Sequence, residues 1–225
     1  MPASVGVVVF PGTNCEHDVA TALGSLGASA RLVWHRESSL AGLDAIVLPG
    51  GFAHGDYLRP GALARFSPVM DAVARFAAAG GPVVGICNGF QVLTEAGLLP
   101  GALQKNRDLR FLCTPVRVRV DSTGSVLTGL VPVGTELVVP INHFSGSYVC
   151  NERTLRELHA GDQVVLRYVG NPNGSVDDIA GISNGAGNVV GLMPHPERAS
   201  DELLGSSDGL VLLQSLLAAA SAAAA

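Results

Sequence analysis

The residue best placed to do chemistry is Cys87, in the run Gly85-Ile86-Cys87-Asn88-Gly89. That spacing fits Gly-x-nucleophile-x-Gly, in which a reactive side chain stands on a sharp strand-to-helix turn and its neighbours must be small to avoid collision. The residues before it, Pro82-Val83-Val84, are a short apolar run, and Phe90-Gln91-Val92-Leu93 follow with helical spacing. Cys87 is thereby predicted at a helix N-terminus, where the helix dipole and free N–H groups favour a thiolate. The Asn88 N–H next to it can donate to an oxyanion. A lone cysteine is also commonly a small buried hydrophobe, and five residues leave both possibilities open. Of the other cysteines, Cys15 falls in the first turn of a helix with nothing nearby in sequence to act as its base. Cys113 and Cys150 sit in or beside strands and read as structural.

A thiol at neutral pH needs a base, and His195 in Met193-Pro194-His195-Pro196-Glu197 is the candidate. It follows the apolar run 189–192, so it is expected at the C-terminal end of a strand, the edge where open α/β sheets bind ligands. The flanking prolines favour an extended segment. Residues two apart then face the same side, and Glu197 can fix the imidazole tautomer. A surface histidine between two turn prolines is the plain alternative. A metal held by His195, Glu197 and Cys87 lacks a convincing further ligand, so no metal is expected. His54 and His143 lie in glycine-containing loops that can approach the same edge. Gly50-Gly51-Phe52 follows another apolar run, 45–48; tandem glycines there let a backbone N–H approach a ligand closely and give a second oxyanion donor.

These groups need a scaffold that gathers strand ends on one edge. In the first half, apolar runs at 5–10, 30–34, 45–48 and 82–86 alternate with helical spacing at 15–26, 62–79 and 88–96. That alternation predicts an α/β fold with an open, mostly parallel sheet flanked by helices. Asn14 is the expected cap of the first helix. Strand-like runs at 111–120, 136–140, 164–168, 175–182 and 189–193 add extra β-strands in the second half, with no long helix before about 201–217.

The chain has 225 residues, a length that suits a single domain over 1–225. Hydrophobic residues make up 48 %, and the formal net charge is -5 with no basic block, which argues against nucleic-acid binding. Neither a membrane-spanning run nor a signal-peptide pattern is evident, so a soluble cytoplasmic protein is expected.

Together these residues resemble the class I glutamine amidotransferases, in which a Cys-His-Glu triad hydrolyses glutamine to glutamate and ammonia. Asn88-Gly89-Phe90-Gln91 after the thiol is most similar to the purine-biosynthetic branch of that family. The similarity extends through residues 10–15, 49–59, 97–101, 173–175, 193–198 and 201–205. It implies Cys87 as nucleophile, His195 as general base and acid, and Glu197 as its orienter. Gly50, Gly51, Phe52, Asn88 and Gln91 are implied around the substrate, with Gly51 and Asn88 as oxyanion donors. It also implies that this chain carries no cofactor. ATP and magnesium belong to a large synthetase subunit, which a small accessory subunit often accompanies. One stretch departs from the family: Asn142-His143-Phe144-Ser145-Gly146-Ser147 stands where Ala-His-Gly-Glu-Gly-Asn is usual. A subunit that binds without hydrolysing, or a related cysteine hydrolase acting on peptides or small amides, stays open at this point.

Overall fold

The structure is a computed structural model that describes residues 2–223. Its first half builds right up to the thiol: β1 (Ser4–Val9), α1 (Glu16–Ser25), β2 (Ser29–Trp34), β3 (Ala45–Leu48), α2 (Pro68–Ala78), β4 (Val83–Ile86) and α3 (Asn88–Glu95). The second half adds β5 (Ala102–Gln104), β6 (Leu112–Val120), β7 (Glu136–His143), β8 (Ser147–Val149), α4 (Glu152–Ala160), β9 (Val164–Tyr168), β10 (Ile179–Ser183), β11 (Val189–Leu192) and α5 (Leu210–Ala223).

Nine strands form one sheet in the order β2-β1-β3-β4-β11-β10-β9-β6-β7. From β2 to β11 all neighbours are parallel, and from β11 to β7 all are antiparallel. Every residue of β3, β4 and β11 is buried, as expected for parallel strands covered on both faces. β7, at the far edge, alternates buried and exposed side chains, the pattern of a sheet with one wet face. β4 and β11 are adjacent and in register, with Ile86 opposite Leu192. Cys87 and the segment carrying His195 therefore leave the sheet at the same end.

Several boundaries differ from the sequence expectation. The single helix expected over 62–79 is divided: a 3-10 turn (Ala64–Phe66) ends at Ser67, which is extended at φ -69 and ψ 140, and α2 starts at Pro68. Proline disfavours a helical residue before it and suits the first helical position. The strand expected over 175–182 begins only at Ile179, because Asp177 and Asp178 adopt positive φ and close a 3-10 turn. The last helix starts at Leu210 rather than near residue 201, after a 3-10 turn that ends on Gly205 at φ 101. β7 runs three residues beyond the expected 140. It tolerates Pro140 because it is an edge strand. Cys15, not Asn14, caps α1, and without a side-chain bond. The helix α4 and the small β5–β8 sheet were not expected from the sequence. Among the described residues no helix is long and apolar enough to cross a membrane.

Candidate functional site

Cys87 sits between β4 and α3 at φ 52 and ψ -105, a conformation a side-chain-bearing residue adopts only when its surroundings impose it. They do so by proximity. A Cβ on Gly89 would lie 1.9 Å from the Leu48 carbonyl oxygen, and one on Gly85 would lie 2.6 Å from the Gly89 carbonyl oxygen. The Cys87 N–H donates to Leu192 O at 2.7 Å, locking the turn to β11. Its thiol faces the Asn142 carbonyl oxygen, which accepts from Sγ at 3.7 Å.

His195 is fully buried, and its Nδ1 meets Glu197 Oε1 at 2.7 Å. The segment is not extended throughout, as the sequence suggested. A 3-10 turn over Pro196–Arg198 begins directly after His195, with proline at its favoured first position, and this turn brings the carboxylate back to the ring. Burial disfavours charge on His195, but the facing Glu197 carboxylate and Cys87 sulfur outweigh it and hold its pKa well above the ordinary imidazole value. Its Nε2 has no protein partner.

Gly51 adopts φ 144, and a Cβ there would lie 2.7 Å from Asn14 N. The loop is tied by Asn14 N to Gly50 O and Phe52 N to Gly12 O, bonds that leave the Gly51 N–H out. The Asn88 side chain does structural work: Oδ1 accepts from Ala53 N at 2.9 Å, and Nδ2 donates to Asp56 and to Gln91. It fastens the glycine loop to α3. Burial raises the Asp56 pKa to about 6, opposed by the Asn88 bond.

A cavity of about 760 Å³ opens over Cys87. Gly51, Phe52, Gln91, Asn142, His143, Phe144 and Ser145 are among its walls. Gly50 stands elsewhere: a Cβ there would meet His195 Cε1 at 2.6 Å, so Gly50 backs the imidazole. Phe144 is partly exposed, with the Lys105 ammonium 5.8 Å from its ring centroid. Of the two loop histidines, His143 reaches the cavity. His54 instead meets His35 and Ser67 in a separate recess.

Two further side chains, Cys15 and Arg198, reach the His195–Glu197 pair although no local sequence pattern ties them to it. Cys15 Sγ, a His195 ring nitrogen and a Glu197 oxygen all lie within 4.8 Å of one another. Arg198 Nη2 approaches Cys15 Sγ at 3.3 Å and its Nε meets Asp18 at 3.1 Å. The second cysteine thus lies against the same histidine, although nothing near it in sequence suggests a base. As a metal site the group is poorly suited, because the fixed guanidinium stands beside the sulfur and Glu197 Oε1 is taken by His195. Its thiol also differs from the Cys87 expected in such a set.

A family model described as a CobB/CobQ-like glutamine amidotransferase domain matches residues 2–207. The phosphoribosylformylglycinamidine synthase subunit PurQ of Parasynechococcus marenigrum is 57 % identical over 95 % of this chain and 99 % of its own length. The chain belongs to the PurQ family of glutamine amidotransferases. Rubrobacter xylanophilus PurQ is 56 % identical over 96 % of this chain and 98 % of its own. A solved PurLQS structure from Thermotoga maritima contains a chain that is 42 % identical, with a TM-score of 0.90, covering 97 % of this amidotransferase and 99 % of that chain. The mixed sheet with flanking helices is the amidotransferase fold expected from the sequence.

Proposed function

We propose that this chain is the glutaminase subunit of phosphoribosylformylglycinamidine synthase. It hydrolyses glutamine to glutamate and ammonia and delivers the ammonia to a synthetase. The observation that carries this reading is the arrival of Cys87 and His195 from adjacent parallel strands at one sheet edge, with Glu197 bonded to the imidazole. Cys87 Sγ attacks the glutamine carboxamide, and the Gly51 and Asn88 N–H groups face the oxyanion that forms. His195, held in its charged form, protonates the departing nitrogen, and the C–N bond breaks to leave a thioester. The now neutral His195 takes a proton from water as the water oxygen attacks the thioester carbon; the C–S bond breaks, glutamate leaves, and the Cys87 thiolate and charged His195 are restored. Gln91 and Phe52 line the substrate cavity.

The acceptor chemistry belongs to partners. A PurL-type synthetase, using ATP and magnesium, would convert formylglycinamide ribonucleotide to the amidine in purine synthesis, with a PurS-type accessory subunit completing the complex. The assembly in the Thermotoga structure supports this pairing, and the reading places the chain in the cytoplasm as one amidotransferase domain. The test is Cys87→Ala in the reconstituted complex. Glutamine-dependent synthesis should be lost while ammonia-dependent synthesis persists; glutamine use at near wild-type rate by the variant would refute the reading.

A further inference from the structure

A second recess, of about 570 Å³ and separate from the cavity over Cys87, is lined by His35, Arg36, His54, Ser67, Phe66 and Pro68 among others. Its polar groups converge. Ser67 Oγ lies 3.1 Å from His35 Nδ1 and 3.4 Å from His54 Nε2, and the two imidazoles stand edge to face with centroids 5.3 Å apart. Ser67 is the N-cap residue of α2, yet its hydroxyl makes no capping bond and meets the histidines instead. The positive end of the α2 dipole lies at the same spot. The remaining ring nitrogens, His35 Nε2 and His54 Nδ1, have no partner among the described residues, and both keep contact with solvent.

No carboxylate answers these basic groups. Among the described residues none forms an ion pair with His35, Arg36 or His54. The acids nearest in sequence are engaged elsewhere: Glu37 accepts from Trp34 N at 2.9 Å and pairs with Arg31, and Asp56 bonds Asn88 in the wall of the Cys87 cavity. Asp71, in the first turn of α2, does not line the recess. Burial, then His54 and Arg36, holds the His35 pKa below the ordinary imidazole value, as expected of basic groups crowded together without a counter-charge.

An anion would supply that charge. Two imidazole N–H groups, the Ser67 hydroxyl and the Arg36 fork outnumber what the two oxygens of a carboxylate take from one side, and they suit the three oxygens of a phosphate ester. The volume falls in the range of small-molecule sites, and the exposed Phe66 and Pro68 offer an apolar wall for the organic part of such an ester. His54 also belongs to the loop of Gly51. Its N–H donates to Pro11 O at 2.6 Å, and Ala53 N beside it donates to Asn88 Oδ1 at 2.9 Å. One short segment thus joins the recess to both oxyanion donors.

We propose that this recess binds a small phosphate ester, with the phosphate held by His35, His54, Ser67 and Arg36, and that its occupancy alters glutamine turnover through the His54 loop. The second half rests on the glutaminase reading above; the first half stands without it.

The test titrates the full chain with AMP, adenosine and inorganic phosphate by calorimetry. AMP should bind, inorganic phosphate should compete with it, and adenosine should bind about tenfold more weakly or worse, the lower end of the loss for a hydrogen bond to a charged group. Arg36→Ala, at an exposed position, should weaken AMP by about the same factor. So should His54→Asn, since asparagine tolerates the φ of 53 at that position. Thermal melting reports the fold of both variants. No AMP binding by the wild type, equal affinity for adenosine, or unchanged affinity in both folded variants overturns the site. In the assembled complex AMP should change the rate of glutamate release about fivefold, the low end of typical coupling between sites, and leave Arg36→Ala unmoved. An equal effect in wild type and variant comes from the partner and overturns the coupling. A wild-type complex that releases no glutamate from glutamine sinks the glutaminase reading itself, while the calorimetry still decides the site.

Discussion

Gly50→Ala tests whether the imidazole is held where the chemistry needs it. The new Cβ would lie 2.6 Å from His195 Cε1, 3.2 Å from Cys15 Sγ and 3.4 Å from His195 Nδ1. Ordinary contact begins near 3.4 Å, so the ring must retreat by about 0.8 Å, a shortfall on the scale of normal heavy-atom packing. It has nowhere to go: His195 is 1 % exposed and tethered to Glu197 at 2.7 Å. Gly50 is not among the positive-φ residues, so alanine brings no backbone strain and the effect reports the ring. A misplacement near 1 Å costs on the order of 100-fold in rate, while overpacking of this kind costs about 1–3 kcal/mol of stability. Glutamine-dependent synthesis should therefore fall about 100-fold with ammonia-dependent synthesis retained. A folded variant that kept more than half of its glutamine activity would refute the reasoning.

Two further substitutions probe the same site. Asp56 has a folded pKa raised from 3.8 to about 6, so its ionised form is penalised in the native state and its drag on stability grows as pH rises through that window. Asp56→Asn should consequently raise the melting temperature more at pH 8 than at pH 5, and an equal gain at both would count against the burial argument. Cys15→Ser keeps the size of the group beside His195 and should lower glutamine turnover by less than about tenfold, the scale of one weakened hydrogen bond. A loss as complete as that of Cys87→Ala would make Cys15 the nucleophile.

The sequence made some of this site legible and concealed the rest. The Cys87 turn is signalled by five consecutive residues, because Gly85 packs on Gly89 within the same segment, although the contact that bars a side chain at Gly89 is with Leu48 of β3. His195 and Glu197 are likewise two residues apart, so their pairing survives even though the backbone between them curls into a 3-10 turn instead of running straight. Cys15 and Arg198 could not be seen this way: they meet only when α1 packs beside the turn after β11, and no local pattern encodes that meeting. His143 was visible as a residue near the correct edge, but the bonds that hold the backbone of its loop come from Asn106 and Asn173, which are distant in sequence. In the fold, periodicity identified the parallel half well. It missed α4, whose residues are mostly polar and bury little beyond Leu158, and it ran through Pro68, which disfavours a helical residue before it.

The position of β11 has a consequence for the newly made chain. β11 is among the last strands to be synthesised, yet it lies in the middle of the sheet, between β4 and β10. The thiol leaves the ribosome roughly a hundred residues ahead of its base, at synthesis rates on the order of 5–20 residues per second. Until β11 slots in, a growing chain carries Cys87 without His195, and the Leu192 carbonyl that pins the Cys87 turn is missing too. Glutamine is therefore safe from half-made molecules: the catalyst and the last central strand of the sheet are completed in a single event.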